Sequence, residues 1–277
     1  MGRLQDKVAF ITGAARGQGR SHAVRFAKEG AAVIALDACS PIETQPYSAG
    51  TEEDLAETVR LVEGAGGRIV AGKADVRDSA QITAVFEEGV RKLGAPDIVV
   101  ANAGTWSFGL TWEIEDQQWQ DMIDINLTGS WRTVKASIPT MIDAGKGGSV
   151  ILISSMCGVA GFYGLTHYCA AKHGVVGMAR VMAQELGPHK IRVNAICPTS
   201  VDTDMFNNPA MRKTFVPGAD NPTDQEFREA ARDMHPLGVS CIEVQDVTNN
   251  VVFLASDEAR YTTGQAVVVD AGCLVKH

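Results

Sequence analysis

Seven short apolar runs recur along the chain, and most are followed by a turn signal and then by apolar residues at helical spacing. The runs predict strands over 8–11, 31–36, 68–74, 97–101, 148–153, 191–197 and 265–269. Between them the spacing predicts helices over 21–29, 53–64, 79–93, 169–186 and 243–256, and a long helical segment over 115–143. Strand and helix alternating at this size predict a doubly wound α/β fold. One domain over 1–277 would hold a mostly parallel seven-stranded sheet with helices on both faces. Ligands of such sheets bind beyond the carboxyl ends of the strands.

Two segments break the rhythm. The first, 38–51 (ACSPIETQPYSAGT), carries two prolines, a glycine and several Ser/Thr residues, and is long for a connection of this kind. It leaves from the place where the adenosine end of a dinucleotide would sit, and is expected to fold over the cofactor. The second, 199–238, mixes Pro, Gly, Asn and charges with Met205, Phe206, Met211, Phe215 and Phe227. It is expected to lie over the open cleft as a lid. With Trp106, Phe108 and Phe162 near other loop ends, its apolar residues either contact an apolar substrate or form a local core for the lid.

The order strand, glycine turn, helix around TGAARGQGR gives its glycines a physical reading. Gly13, Gly17 and Gly19 allow a tight turn and a close approach of backbone to a pyrophosphate at a helix N-terminus. No Lys-Ser/Thr pair ends the loop, which excludes the triphosphate-binding version of such a turn. Asp37, at the end of the second strand, can take both ribose hydroxyls and would repel a 2′-phosphate, favouring NAD over NADP. Arg16 pulls weakly the other way, or is a solvated loop cation.

Composition changes this picture little. Acidic residues number 33 and basic residues 25, for a net charge of −8, with no basic tract. That argues against nucleic acid or an anionic membrane as a partner. No apolar run approaches the ~18 residues of a membrane span. MGRLQDKVAFITG carries charges where a secretion signal needs an apolar core, and Asp6 stands where a myristoylation motif needs Ser or Thr. Six cysteines stand singly, with no C-x-x-C, as expected for reduced thiols in a cytoplasmic protein. Cys169 and His173 share metal-ligand spacing, but no second ligand pair accompanies them, so no metal is expected.

The chemistry is expected in SSMCGVAGFYGLTHYCAAK. On a helix, Tyr168 and Lys172 fall on one face. A phenol ordinarily ionises near pH ~10, and a neighbouring ammonium favours the phenolate. The two therefore form a candidate general acid/base pair, with Ser155 as a hydroxyl to hold a substrate oxygen. Tyr163 competes less well, because His167 and not a permanent cation follows it by four.

The motifs stand in a recognisable order. T-G-x-x-x-G-x-G covers 12–19, followed by Asp75-Val76, by N-A-G at Asn102, Ala103 and Gly104, by Asn126, by Ser155, and by Y-x-x-x-K at Tyr168 and Lys172. In this order over almost the whole chain, the sequence resembles the short-chain dehydrogenase/reductase family. The resemblance implies a single Rossmann-like domain and an NAD(P)-dependent oxidoreductase acting on alcohols or ketones. In it Tyr168 is the acid/base, Ser155 orients the substrate oxygen, and Lys172 binds the nicotinamide ribose and lowers the tyrosine pKa. Asn126 holds a water linking the lysine to solvent. Cofactor contacts are implied at Gly13, Arg16, Gly17, Gln18, Gly19, Asp37, Asp75, Val76, Asn102, Ala103, Gly104, Tyr168, Lys172, Pro198, Thr199, Val201 and Thr203, the last at the carboxamide.

Two departures are visible. Thr199 follows Pro198 where the family often has Gly, and 38–51 is inserted. The insertion, Asp37 and TGAARGQGR together resemble the carveol dehydrogenase-like, mycofactocin-associated branch. There the loop is thought to hold NAD without exchange while a separate redox carrier takes the electrons. The resemblance further implies a homotetramer. An apolar, terpenoid-like secondary alcohol is the expected substrate, and the alternatives are a non-catalytic NAD-binding regulator or an NADP-linked ketone reductase.

Overall fold

The computed structural model describes residues 2–276. Seven strands form one sheet: β1 (Val8–Thr12), β2 (Ala32–Asp37), β3 (Ile69–Lys73), β4 (Ile98–Ala101), β5 (Gly148–Ile153), β6 (Ile191–Pro198) and β7 (Ala266–Val269). Their order is β3-β2-β1-β4-β5-β6-β7, and every pairing is parallel. Each apolar run of the sequence thus becomes a strand, because a parallel sheet covered on both faces needs apolar residues at consecutive positions. β1 shows the division: Ala9 and Ile11 enter one core and Val8 and Phe10 the other.

Helices α1 (Gly17–Lys28), α2 (Glu52–Gly64) and α9 (Val244–Ala255) supply the first core, with Phe26, Val62 and Val251 fully buried. The second lies under α3 (Ser79–Leu93), α5 (Gly129–Ala144) and α6 (Thr166–Leu186), with Phe86, Met141 and Val175. Connections run outward in opposite directions from β1 and β4. The crevice beyond their carboxyl ends is where a doubly wound sheet binds its ligand.

Three departures from the expected elements go beyond a residue at an end. Helix α1 begins at Gly17 rather than at 21, so the glycine turn is also the helix's first turn; glycines carry no apolar side chain to reveal that spacing. Its N-cap, Arg16, makes no side-chain cap, which leaves the first backbone N–H groups directed at the cleft. Helix α6 begins at Thr166 rather than at 169 and includes both Tyr168 and Lys172. The segment expected as one long helix contains α4 (Asp116–Ile123), a π turn (Asp124–Thr128) and α5. The wider turn holds Asn126 and departs from α-helical spacing, as π turns at functional sites do.

The segment 199–238 folds into α7 (Pro209–Phe215), α8 (Asp224–Arg232) and connecting loops. Some of its apolar residues form a core of their own. Phe206, Phe215 and Phe227 stack on one another as the lid's own core, with Phe206 and Phe227 centroids 4.6 Å apart. Met205 packs against the cluster of Trp106, Met156 and Tyr168, as does Phe162, and Met211 touches both this cluster and the lid's core.

Candidate active site

At the carboxyl end of β1 the chain turns through Gly13, whose φ of +68° a side chain would oppose. An added Cβ there would stand 2.8 Å from the Ala103 Cα. Gly19 is set by closeness, since its Cβ would fall 2.0 Å from the Gly13 carbonyl oxygen. Asn102 ties β4 to this turn, its side-chain amide donating to the carbonyls of Thr12 and Gly13 at 2.9 and 3.1 Å. One cavity runs along these backbones, lined by Gly13, Arg16, Gly17, Gln18, Asp37, Asp75, Val76, Asn102, Ala103 and Gly104, and reaches Tyr168, Lys172 and Thr203. At its far end the Asp37 carboxylate is fixed by the backbone N–H groups of Ala15 and Cys39, both at 3.0 Å.

The remaining predicted contacts take other positions. Asp75 lines the cavity but is also held by Arg77, at 2.7 Å. Gly19 and Asn126 lie behind the wall, and Val201 is buried in the core over α9. Pro198 ends β6 in register with Val269. Thr199, the departure from Gly, has its hydroxyl 2.7 Å from His235 Nε2, while His235 Nδ1 lies 2.9 Å from the Ala231 carbonyl. With Nδ1–H donating to that carbonyl, Nε2 accepts from Thr199, and the threonine anchors α8 to the end of β6.

The insertion 38–51 closes the cavity from outside. Ser40, Ile42, Gln45, Tyr47, Ala49 and Gly50 line it. Arg16 is neither a solvated cation nor free for a phosphate: its guanidinium pairs with Asp204 of the lid at 2.7 Å and also donates to the Ser48 carbonyl. Gln45 Oε1 accepts from Thr105 Oγ1 at 2.9 Å, and Thr44 Oγ1 donates to Asp121 at 2.8 Å, which in turn pairs with Arg77. Tyr47 packs against the Trp106–Tyr168 cluster, and burial pushes its phenol up to about 12. The Tyr47 hydroxyl and Gln18 Oε1 are buried cavity-lining atoms without a hydrogen-bond partner. Such orphaned groups fit a polar ligand in the cavity. Tyr47, Gln45, Ser48 and Asp204 escaped sequence reading; only the length and place of the insertion pointed toward the first three, and only the lid segment toward Asp204.

Tyr168 and Lys172 are buried on the face of α6 that meets β5. Lys172 Nζ donates to the Ile153 carbonyl at 3.0 Å and lies 5.6 Å from the Tyr168 ring centre. Burial lowers its pKa to about 8, so the amine stays mostly protonated at neutral pH. Burial, foremost, pushes the Tyr168 phenol up, and the Ser155 hydroxyl only partly opposes this. A positive charge bound in the cleft would favour the phenolate, as a neighbouring ammonium does.

Ser155 Oγ accepts from the Cys157 N–H at 3.2 Å, which fixes the hydroxyl beside Tyr168. Asn126 is fully buried and well partnered: Nδ2 donates to the carbonyls of Thr105 and Met122, and Oδ1 accepts from the Thr105 N–H. Tyr163 is 80% exposed and stacks near Phe108 at the surface, which removes it as the acid/base. His173 Nδ1 lies 2.9 Å from the Cys169 carbonyl oxygen.

Comparison with known proteins agrees with this arrangement. A family model described as enoyl-(acyl carrier protein) reductase matches residues 13–273. A protein of Mycolicibacterium smegmatis described as a putative short-chain type dehydrogenase/reductase is 52% identical over 99% of both chains. The (-)-trans-carveol dehydrogenase of Rhodococcus erythropolis is 45% identical over 100% of both. The crystal structure of carveol dehydrogenase from Mycobacterium avium in complex with NAD superimposes with a TM-score of 0.98, at 51% identity and full coverage of both chains. Likeness of this extent, across the glycine turn and the Tyr168 helix alike, makes the chain a member of the short-chain dehydrogenase/reductase family.

Proposed function

We propose that the chain is an NAD-dependent dehydrogenase of the carveol dehydrogenase type, interconverting an apolar secondary alcohol and its ketone. One observation carries the reading: a single cavity joins the Asp37 carboxylate at one end to Tyr168 and Lys172 at the other. Asp37 is preset by two backbone N–H groups to accept from ribose hydroxyls, and it would repel a 2′-phosphate. Arg16, a loop cation that lines the cavity and could offset that repulsion, is engaged with Asp204 and Ser48. Both points oppose an NADP-linked reductase. An intact set of Ser155, Tyr168, Lys172 and Asn126 opposes a non-catalytic regulator, which has no use for an acid/base.

NAD, when bound, would supply the hydride acceptor and a positive ring charge that adds to the field of Lys172. Ser155 holds the substrate oxygen and Tyr168 takes its proton. Lys172, charged and tied to the Ile153 carbonyl, binds the nicotinamide ribose and adds to the field on the phenol. Asn126 holds the water through which the lysine exchanges protons with solvent. Met205, Met211, Trp106 and Phe162 give the substrate side an apolar wall, which suits a terpenoid-like alcohol such as the carveol of the R. erythropolis relative.

The finer reading is that NAD stays bound beneath 38–51 and is re-oxidised by a separate, mycofactocin-like carrier. The three anchors of that segment, on Arg16, Thr105 and Asp121, support it. We further propose a cytoplasmic homotetramer; exposed Trp131 and Val181 on α5 and α6, and Val268 on the edge strand β7, offer apolar surface for assembly. Among the described residues no helix is long and apolar enough to cross a membrane.

The test begins with protein purified without added cofactor, denatured and assayed for NAD(H). Stoichiometric NAD, with carveol oxidised only when an artificial acceptor is supplied, is the expected result; Tyr168→Phe should keep the NAD and lose turnover. Activity retained by Tyr168→Phe would overturn the catalytic assignment. Empty protein that steadily reduces free NAD would overturn the sealed-cofactor part alone.

A further inference from the structure

The insertion brings one side chain to the reacting end of the cavity. The segment 38–51 leaves β2 beside Asp37 and returns to it, since a Cβ built on Gly50 would lie 3.5 Å from Asp37 Oδ1. Between these points Tyr47 lines the cavity that Tyr168 and Met205 also line. Its ring packs against the cluster of Trp106, Met156 and Tyr168, as Phe162 and Met205 do. Its main chain is pinned: Gln45 Nε2 donates to the Tyr47 carbonyl at 2.9 Å, and Gln45 Oε1 accepts from Thr105 Oγ1 at 2.9 Å. Thr105 is held in turn on the Asn126 amide, through both its N–H and its carbonyl. A continuous set of hydrogen bonds thus runs from Asn126 to the backbone that carries the phenol.

That phenol has no partner. The Tyr47 hydroxyl is buried and, among the described residues, makes no hydrogen bond. Burial holds its pKa at about 12, so it keeps its proton at neutral pH and has a hydrogen to give. A buried donor left unpaired is costly, and native proteins leave few of them. On the dehydrogenase reading, on which this inference rests, the other groups in the cavity do not need that hydrogen. A ketone oxygen offers two lone pairs, and the Ser155 and Tyr168 hydroxyls supply two donors. Ser155 can donate because its oxygen is the acceptor toward the Cys157 N–H. Asp37 and Lys172 are matched to the riboses of NAD, and Thr203, which also lines the cavity, to its carboxamide. What is left over is one donor set in the apolar wall of the substrate side.

We propose that Tyr47 donates to a second oxygen of the substrate, a hydroxyl or carbonyl carried on the apolar skeleton away from the reacting carbon. The preferred substrate is then an apolar alcohol with two oxygens, and the insertion reads the substrate as well as covering the cofactor. A site built to bond an oxygen discriminates strongly against the analogue that lacks it, because its buried donor is then left unpaired. A wall of apolar side chains alone has no such selectivity.

The test compares cyclohexanol with the isomeric cyclohexanediols, offered with free NAD and an artificial electron acceptor to the unsubstituted protein and to Tyr47→Phe. The readout is kcat/KM for the best diol relative to cyclohexanol. That ratio should fall by about tenfold in Tyr47→Phe. The diol loses a hydrogen bond, whereas cyclohexanol no longer buries an unpaired hydroxyl and should be turned over faster. A tyrosine that only supports the loop would lower both rates together. An unchanged ratio, whether the rates fall or bound NAD is lost, overturns the proposal; loss of NAD at an unchanged ratio would assign the phenol to the cofactor. Should the unsubstituted protein turn over no alcohol at all, the dehydrogenase reading fails. Calorimetric binding of the same compounds to the two proteins, compared by the same ratio, then decides whether Tyr47 holds a second oxygen.

Discussion

An added Cβ at Gly104 would lie 2.9 Å from Asn126 Oδ1 and 3.5 Å from Lys172 Nζ. The bare backbone therefore keeps open the junction where the proposed water path passes from the lysine toward Asn126. The amide of Asn126 has little freedom to move aside, since Thr105 and Met122 hold both its ends. Gly104→Ala should keep the fold and its bound NAD while kcat falls by about a hundredfold, the scale of a 1 Å misplacement. Gly177, on the same helix as Tyr168 but with nothing within 4 Å of a built Cβ, is the control. Alanine there should leave kcat unchanged and stabilise α6 by up to ~1 kcal/mol. Circular dichroism and steady-state rates on the two variants check this, and equal rates would remove Gly104 from the catalytic geometry.

Elements differ in how far the chain announces them. The strands are legible because each is buried on both faces and so must be apolar at consecutive positions. Gly17–Gly19 as a helix start and the π turn at Asn126 are not, since neither leaves an apolar repeat. Tyr168, Lys172 and Ser155 could be placed from spacing within one stretch, whereas Tyr47 and Asp204 depend on contacts across the fold. The insertion shows the same limit: its composition marks a loop, but its anchors are Arg16, Asp121 and Thr105. Arg16 bridges glycine turn, insertion and lid. Its partner Asp204 is 61% exposed, and an exposed ion pair contributes only ~0–1 kcal/mol. The Ser48 carbonyl is a second acceptor, which Asp204→Ala leaves in place. Arg16→Ala should therefore release NAD about tenfold faster, equivalent to about 1.4 kcal/mol, and Asp204→Ala by a smaller factor. Cofactor retained after timed dialysis measures both, and unchanged retention in Arg16→Ala would mean that the clasp does not hold the loop.

For the molecule as a whole, the seam between α1 and α9 closes one face of the sheet, and a histidine lies inside it. His22 is fully buried, with Nδ1 2.8 Å from the Thr248 hydroxyl and Nε2 without a partner. Burial lowers its pKa from 6.5 to about 3, so the folded chain holds the ring neutral at any pH near 7. The unfolded chain binds a proton there below 6.5. A depressed folded value means that the stability associated with the neutral ring is complete above pH 6.5 and is lost as the pH falls toward about 3. Each pH unit within that window costs about 1.4 kcal/mol, or about 2 kcal/mol at pH 5. His167, lowered to about 4 by burial, adds a loss of the same sign. Urea midpoints should therefore fall between pH 7 and pH 5. In His22→Gln, which keeps a polar side chain near Thr248 but has no proton to gain, that fall should be about half as large, even if the variant starts less stable. Because the slope and not the starting stability is the readout, simple loss of packing would not mimic the effect. An identical slope in His22→Gln would show that the ring is solvated in the native molecule and that the α1–α9 seam is open to protons.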